Sequence, residues 1–462
     1  MKASIERQDY LSLVEAFAAH PDFRTEDGRW KLVDEAFRGI SGSERAKGGL
    51  DLRDPPRNAA GSLVGRLLDF GRLGERHSLA LVVETLQERV GDDERGELDR
   101  LIRVLDGRQL PAPGPAPAAS PNAQILHLSD LHFGTVSDAC NFHSQLAEDL
   151  KRELGCTRLD GLICSGDLTL VSSEAEYEAA RTFIDLLRGE LGLARERIVL
   201  VPGNHDLSWP LAQAAYVPAD ASVYAAANEH EQRRWIVEGE TCMVRDEDRY
   251  RQRFAPYGER LHRLVTGKSY PLDYPDQFSL HHWPELSLLV LGLNSAWEID
   301  HAHRDRAGIH PEAISKALNL LRARPDWADC LEVAVWHHPL ASDEPSHIKD
   351  HGFLERLAAA GFRLALHGHI HKAEVTQFRY DRTPGGRRLD ILAAGTFGAP
   401  SRQWVPGYPL QYQLLRLGSG GVTVETRRRE EPNGTWKPDA RWLQGPGQDP
   451  VPRYFVELRG AG

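Results

Sequence analysis

The sequence predicts a two-domain chain in which a small all-α helical bundle precedes a larger α/β domain. Three observations support this. Up to residue 106, apolar residues recur at three- and four-residue intervals, the helical period. Residues 107–122 carry five prolines among alanine, glycine and serine. After them, short leucine-rich or β-branched runs alternate with helical stretches, which is typical of an α/β domain.

The first domain is predicted to span residues 1–106. Five segments with helical periodicity predict four or five helices: 9–20, 29–39, 59–73, 77–90 and 94–107. Only His20 and His77 of the chain's 20 histidines lie here. We therefore expect no chemistry in this bundle.

Residues 107–122, GRQLPAPGPAPAASPN, are the predicted linker. Such a composition resists helix and sheet and favours an extended spacer. The main domain boundary is therefore placed here.

The second domain is predicted to span residues 123–430, followed by a C-terminal extension, 431–462, that packs on it. Strands are predicted at 124–128, 159–164, 197–201, 286–293, 331–336, 362–367 and 389–394, helices at 174–191 and 311–324, and a hairpin over 408–417 and 420–429. Residues 207–285 are rich in Trp, Tyr, His and Arg and show no clear strands, which indicates a cap. Arg427, Arg428 and Arg429 are followed by two glutamates and are expected to be solvated.

Composition excludes several classes of protein. The net charge of −11 argues against a surface that coats nucleic acid, so a polyanion would need a local basic groove or metal ions. The sequence has no run of about 18 apolar residues and begins with the charged stretch MKASIERQDY, so we expect no membrane span and a cytoplasmic protein. The five cysteines form no CxxC pair, which argues against a zinc knuckle or a disulfide framework.

Polar groups able to bind cations follow five of the predicted strands. They are Asp130 and His132 in SDLH, Asp167 in SGD, Asn204, His205 and Asp206 in GNHD, His337 in HHP, and His369 and His371 in GHIH. Carboxyl ends of strands in an α/β sheet face one crevice, and residues two apart point to the same side. Such a set is large enough for two metal ions.

The residue types indicate which chemistry such a site performs. Carboxylate, imidazole and amide ligands without thiolate suit manganese, iron or zinc. A carboxylate bridging two ions about 3.5–4 Å apart would activate a water to hydroxide for attack on a phosphate. His205 is placed to protonate the leaving oxygen, and Asp206 is expected to orient its ring.

These five motifs, in this order, resemble the motif set of the calcineurin-like metallophosphoesterases over roughly residues 123–430. The resemblance implies a four-layer α-β-β-α sandwich with a dimetal site. Carried over by position, it implies one metal held by Asp130, His132, Asp167 and His371 and a second held by Asp167, Asn204, His337 and His369. SDLHFG followed by GDLT is most similar to the cyclic-nucleotide-phosphodiesterase-like branch.

The N-terminal bundle resembles the effector-associated, death-like adaptor modules of bacterial conflict systems. That resemblance implies a phosphoesterase effector recruited by a protein partner with a matching helical module. The alternative is a bundle that only packs on the enzyme or dimerises it. The oligomeric state stays open.

The expected function is dimetal-dependent hydrolysis of phosphodiester bonds in nucleotides or nucleic acid, with manganese as the first choice of metal. Two alternatives remain. One is a phosphomonoesterase or a phosphodiesterase for non-nucleotide substrates. The other is a non-catalytic signalling scaffold or ligand sensor. The role of His338 also stays open: it either supports the substrate phosphate or has a packing role. The cap aromatic residues and Arg304 either contact substrate or do not.

Overall fold

The computed structural model describes residues 7–74, 76–87, 89, 98, 101–102, 105–106, 123–239, 241–327, 330–342, 346–381, 387–398, 409–418, 420–431, 434–440 and 450–457. The chain forms two compact units, Met1–Ala119 with Asp381–Gly386 and Ser120–Tyr380 with Arg387–Gly462. The predicted linker, residues 107–122, lies outside the described residues. Within the described part of the chain, no helix has the length and apolar character needed to cross a bilayer.

The first unit is helical, as its periodicity predicts. Its elements are α1 (Arg7–Ala19), α2 (Glu26–Ala36), α3 (Ser43–Lys47), α4 (Pro56–Phe70), the short pair β1 (Arg72–Leu73) and β2 (Arg76–His77), and α5 (Ser78–Gln87). Thr25 caps α2 by accepting a hydrogen bond from the backbone N–H of Gly28. The predicted segment 94–107 lies mostly outside the described residues, although Leu98, Leu101 and Leu105 are buried in the same apolar core.

A buried arginine links α2 to the chain segments before α2 and before α4. Arg29 is only 3% exposed. Its guanidinium donates hydrogen bonds of 2.6 Å to the carbonyl oxygens of Phe23, Leu52 and Asp54. The charge is thereby satisfied by backbone, as burial requires.

The second unit is built on two mixed β-sheets. Its strands are β3 (Ala123–Leu128), β4 (Gly161–Cys164), β5 (Ile198–Leu200), β6 (Tyr216–Pro218), β7 (Trp235–Glu238), β8 (Thr241–Arg245), β9 (Phe278–Trp283), β10 (Leu288–Leu293), β11 (Leu331–Val335), β12 (Leu364–His367), β13 (Glu374–Arg379), β14 (Arg388–Ala393), β15 (Leu410–Gly418), β16 (Gly421–Arg429), β17 (Lys437–Pro438) and β18 (Arg453–Glu457). One sheet has the order β17-β16-β15-β3-β4-β5, with β18 also on β16, and the other has the order β13-β14-β12-β11-β10-β9. Strands β3, β4 and β5 are parallel, as are β10, β11, β12 and β14.

Helices cover the outer face of each sheet. The helices of this unit are α6 (Val136–Arg152), α7 (Glu174–Leu191), α8 (Trp209–Ala214), α9 (Ala221–Ala226), α10 (Glu229–Gln232), α11 (Glu247–Arg251), α12 (Ala255–Tyr257), α13 (Arg263–Thr266), α14 (Pro311–Arg322) and α15 (Gly352–Ala360). Ser173 and Glu176 form a capping box that starts α7, and Gly192 ends it in the left-handed conformation.

Three apolar clusters define four layers. One contains α6, α7 and the first sheet, and a second contains α14, α15 and the second sheet. A third lies between the sheets, where Ile163 and Val199 meet Val290 and Val335. The predicted four-layer α-β-β-α sandwich is therefore confirmed.

The cap differs from the prediction because it contains strands. β6, β8 and β7 form a three-stranded antiparallel sheet within the predicted cap region. These strands are three to five residues long, too short for alternation to be read from sequence. Tyr216 and Tyr250 are buried in the cap core, and both donate to the carboxylate of Asp300, at 2.7 and 2.8 Å.

The arginine run at the end of the hairpin is also not as expected. Arg427 is 4% exposed and Arg429 is 1% exposed. The Nε of Arg427 donates to the Asp149 carboxylate of α6 at 2.8 Å. Arg429 lies 4.4 Å from the Phe142 ring centroid. Arg427 and Arg429 are therefore buried against α6, whereas the side chain of Arg428 is 40% exposed. Their sequence neighbours alone do not reveal the contact with α6.

Candidate metal centre

The predicted ligands lie at the carboxyl ends of strands from both sheets. Asp130, Asp167 and Asn204 follow the adjacent parallel strands β3, β4 and β5. His337 and His369 follow β11 and β12, which are also adjacent and parallel. The Asp130 carboxylate accepts a hydrogen bond of 3.1 Å from the backbone N–H of His369 and so links the two groups.

Five of the predicted ligands have a left-handed backbone, with positive φ values: 54° at Asp130, 47° at His132, 53° at Asp167, 71° at His369 and 54° at His371. Among the described non-glycine residues, only Ser172 and Ser287 share this feature. The conformation costs roughly 1–3 kcal/mol per residue and persists only where surrounding contacts enforce it. At Asp130 one such contact is the backbone hydrogen bond to the Gly166 carbonyl, at 3.0 Å. Strain of this kind is typical of functional sites.

Asp130, His132 and His371 form a first cluster. Oδ1 of Asp130 lies 3.6 Å from Nε2 of His132 and 3.3 Å from Nε2 of His371. Asp130 is fully buried, and this oxygen has no hydrogen-bond partner within the described residues. A buried carboxylate oxygen without a partner is unfavourable.

Asp167, His337 and His369 form a second cluster. Nε2 of His337 lies 3.0 Å from Oδ2 of Asp167 and 3.2 Å from Nδ1 of His369. The other nitrogen of His369, Nε2, lies 2.7 Å from the hydroxyl of Ser346. His369 therefore presents Nδ1 to this cluster. Suitable ligand atoms of Asp130, Asp167 and His337 also lie within 4.8 Å of one another, so the two clusters are contiguous.

The loop after β4 sets the orientation of three imidazoles. The carbonyl oxygens of Ser165, Thr169 and Leu170 face Nδ1 of His337, His132 and His205, at 2.7, 2.9 and 2.6 Å respectively. A carbonyl only accepts, so each Nδ1 carries the proton. Nε2 of His132 and Nε2 of His337 are thereby directed to Asp130 and Asp167, and in a neutral ring each has a lone pair for a cation.

Asn204 and His338 lie beside the second cluster. Oδ1 of Asn204 is 3.1 Å from Nε2 of His338, and Nδ1 of His338 is 2.8 Å from the Ser295 hydroxyl. His338 and Ser295 are fully buried. Ligand atoms of His338 also lie near those of His337 and His369.

Asp206 does not orient the His205 ring, which corrects the expectation from sequence. Leu170 holds that ring instead. The carboxylate of Asp206 accepts backbone hydrogen bonds from Gly203 at 2.9 Å, Thr169 at 2.9 Å and Leu168 at 3.2 Å. Burial, and then repulsion by Asp167, raise its pKa to about 6. Asp206 therefore fastens the loop after β4 to the loop after β5.

Opposing effects keep the two cluster carboxylates ionised. Burial alone would raise the pKa of Asp130, but the neighbouring imidazoles of His132 and His371 outweigh it and hold the pKa well below its usual range. Burial acts likewise on Asp167, and the charges of His337 and His205 outweigh it, so its pKa is also lowered. Burial lowers the pKa of His337, yet Asp167 and other contacts raise it to about 9. A cation that binds here would displace that proton.

These residues fit divalent cations. A cation between Asp130, His132 and His371 would satisfy the unpartnered carboxylate oxygen. Donor atoms spaced by 3.0–3.3 Å match two ligands of one ion whose bonds are about 2.0–2.2 Å long. The clusters combine carboxylates and imidazoles without a thiolate, which suits manganese, iron or zinc.

Sequence comparison agrees with this geometry. The profile of the calcineurin-like phosphoesterases matches residues 123–373, more than half of the chain. The chain belongs to the calcineurin-like phosphoesterase family. The profile of effector-associated domain 8 matches residues 7–105. Both resemblances expected from sequence are thus confirmed. No curated protein sequence matches the chain significantly.

Several solved structures are similar to this phosphoesterase. GAP50 of Plasmodium is 12% identical, with 66% of this chain and 84% of that chain covered and a TM-score of 0.33. PhoD is 11% identical, with 74% and 72% covered and a TM-score of 0.42. Vps29 of Cryptosporidium parvum is 12% identical, with 68% and 96% covered and a TM-score of 0.29. These scores are too low to bear on its fold or activity.

The sequence does not predict a role for Ser295, and it leaves two roles open for His338. Ser295 follows β10 just as Asp130 follows β3, so the strand-end rule applied to β10 would have found it. The sequence leaves the role of His338 open, although His338 directly follows His337 in the HHP motif. Both contacts that reveal its role come from residues distant in sequence.

The cap contributes an aromatic residue at the edge of the centre. The indole Nε1–H of Trp209 donates to the backbone carbonyl of Asn204 at 3.1 Å. Arg304 is exposed, and its guanidinium carbon lies 4.6 Å from the Trp209 ring centroid. Trp209 is therefore a cap aromatic residue that is hydrogen-bonded to a predicted ligand.

Proposed function

We propose that this phosphoesterase hydrolyses phosphodiester bonds of nucleotides or nucleic acid with two divalent cations. One cation would be held by Asp130, His132, Asp167 and His371, and the other by Asp167, Asn204, His337 and His369. The observation that best supports this is the buried Oδ1 of Asp130, which faces two imidazole nitrogens without a hydrogen-bond partner in the described part of the chain. The donor set suits manganese, iron or zinc, and we propose manganese.

In the proposed reaction, the cations and the protein side chains would have different roles. When bound, the cations would neutralise phosphate charge and lower the pKa of an attacking water. His205 would act on the leaving group, because Nδ1 is occupied by Leu170 and Nε2 is free to carry a proton to the leaving oxygen. The backbone N–H of His205 also donates to Oδ1 of Asp167 at 2.8 Å, so the acid and the shared ligand are held together.

The cap edge supports a nucleotide-containing substrate. Trp209 offers a planar ring and Arg304 a positive charge, next to the predicted ligand Asn204. A nucleobase can stack on an indole, and a neighbouring phosphate can pair with a guanidinium. A nucleotide contains both a nucleobase and a phosphate.

The effector-associated domain supports a role for recruitment. We propose that it binds a protein partner with a matching helical module and so raises the local concentration of the phosphoesterase at its target. Titration of the labelled full chain with such a partner, followed by fluorescence anisotropy, tests this. No binding to any partner carrying a matching module would argue against recruitment.

Turnover of bis(p-nitrophenyl) phosphate by the metal-loaded full chain tests the catalytic proposal. Asn204→Ala should bind one ion fewer and lose most activity, whereas His205→Ala should keep both ions and lose most rate on substrates with poor leaving groups. The matched control is His282→Ala, because His282 stacks on Trp327 outside the centre. Equal turnover in wild type and Asn204→Ala would refute the catalytic role.

A substrate panel separates the finer alternatives. Cyclic nucleotides, single-stranded DNA and RNA should be cleaved faster than phosphomonoesters or non-nucleotide diesters. Elemental analysis of the purified protein identifies the metal. Preference for a phosphomonoester would replace the proposed substrate class without affecting the metal centre.

A further inference from the structure

A fully buried serine connects His338 to the backbone of its own loop. Oγ of Ser295 accepts hydrogen bonds of 3.1 Å from the backbone N–H groups of both His337 and His338. It also lies 2.8 Å from Nδ1 of His338. A hydroxyl has two acceptor sites and one donor, so both acceptor sites are filled and the O–H points at Nδ1.

This arrangement determines the tautomer of His338. Because Nδ1 accepts the hydrogen bond from the Ser295 hydroxyl, it carries no proton in the neutral ring. The proton is then on Nε2, which lies 3.1 Å from Oδ1 of Asn204. Nε2–H donates to that oxygen.

The consequence concerns the amide of Asn204. An amide group can turn over and present either its oxygen or its NH2 group, and only the oxygen binds a cation. An N–H donor at Nε2 of His338 can hydrogen-bond the amide oxygen of Asn204 but not its NH2 group, which is also a donor. The amide oxygen has two lone pairs, so one remains for a cation after the hydrogen bond is made.

We infer that His338 is a positioning residue whose Nε2–H turns the amide oxygen of Asn204 towards the second cation, with Ser295 fixing the tautomer. This inference rests on the proposed function. His338 is then not itself a ligand, although its ring lies beside His337 and His369. Its protonated Nε2 has no lone pair to offer.

Metal binding by the full chain tests the inference without relying on activity. Wild type should bind two Mn2+ ions in isothermal titration calorimetry. His338→Leu should weaken one of the two sites by roughly 10–100-fold, as expected when a ligand loses its supporting hydrogen bond. His338→Gln keeps an N–H donor and should retain affinity within about threefold. His281→Leu is the matched control, since His281 is a buried histidine of β9 outside the centre.

A spectroscopic measurement on wild type covers the case in which a variant fails to fold. In Zn2+-loaded protein labelled with 15N-histidine, His338 should show a proton on Nε2 and none on Nδ1. A zinc-bound Nε2 would overturn the inference and make His338 a ligand. Full affinity at both sites in His338→Leu would also overturn it, while failure of wild type to bind any ion would instead refute the proposed function.

Discussion

Substitution of Gly203 by alanine tests whether the shared carboxylate lies where the structure places it. A Cβ at this position would stand 2.1 Å from Oδ1 of Asp167 and 2.6 Å from its backbone nitrogen. Gly203 does not have a positive φ, so an alanine fits its backbone conformation and only space is at issue. The site has no room for one methyl group.

The magnitude follows from that distance. An ordinary contact with a Cβ begins at 3.4 Å, so Oδ1 of Asp167 would have to retreat by about 1.3 Å and its backbone nitrogen by about 0.8 Å. Overpacking of this size costs roughly 1–3 kcal/mol of folding stability. A misplacement of about 1 Å in a catalytic constellation costs on the order of 100-fold in rate. We therefore expect a modest loss of stability and a much larger loss of metal affinity and turnover.

Three measurements on the same protein check this: bound metal per chain, turnover of bis(p-nitrophenyl) phosphate and the free energy of unfolding in urea. Gly189→Ala is the matched control, because Gly189 lies on the exposed side of α7 and a Cβ there meets nothing within 4 Å. The control should gain about 0.5–1 kcal/mol in stability and keep full activity. Wild-type metal content and turnover in Gly203→Ala would refute the placement of Asp167 against this loop.

Three further predictions use other features. Removal of metal by a chelator should abolish turnover and lower the melting temperature, because ions that bind only the folded state stabilise it; an unchanged melting temperature would contradict this. Burial raises the pKa of Glu332 to about 7 from 4.5. The native state should therefore lose about 1–2 kcal/mol of stability as the pH rises from 4.5 to 7. This loss is smaller than the full pKa shift would give, because water reaches part of the carboxylate. Glu332→Gln should remove that loss in urea titrations across pH, and a parallel profile in both proteins would contradict the assignment. Arg304→Ala and Trp209→Ala should raise KM at least several-fold for dinucleotides and leave hydrolysis of bis(p-nitrophenyl) phosphate nearly unchanged; equal effects on both substrates would exclude a base-binding role.

Strand ends could be predicted from sequence because the motifs follow strongly apolar runs. β3, β4, β5, β11 and β12 all coincide with predicted strands. Parallel strands then place their following loops at one edge, which is a rule of topology and needs no side-chain detail. That rule brings together Asp130 with Asp167 and His337 with His369, because each pair follows adjacent parallel strands. The contacts of Asp130 with His371 and of Asp167 with His337 join the two sheets, so they depend on how the sheets pack.

What could not be predicted depends on contacts between distant segments. Asp206 looked like a partner of its neighbour His205, but its carboxylate is taken by three backbone N–H groups, two of them from the loop after β4. Arg427 looked solvated, but Asp149 of α6 pairs with it. In both cases the deciding partner lies at least 37 positions away. The spacing of residues in the sequence does not predict such pairs.

At the metal centre, the backbone conformation departs from what non-glycine residues prefer. Aspartate and histidine at positive φ are uncommon, yet five of the predicted ligands adopt it. At roughly 1–3 kcal/mol each, this strain is of the same order as the net stability of a domain. Glycine at these positions would relieve it but could not bind a cation. The proposed ligand role of these side chains would account for the strain, since a sequence selected for folding alone would place glycine in such turns.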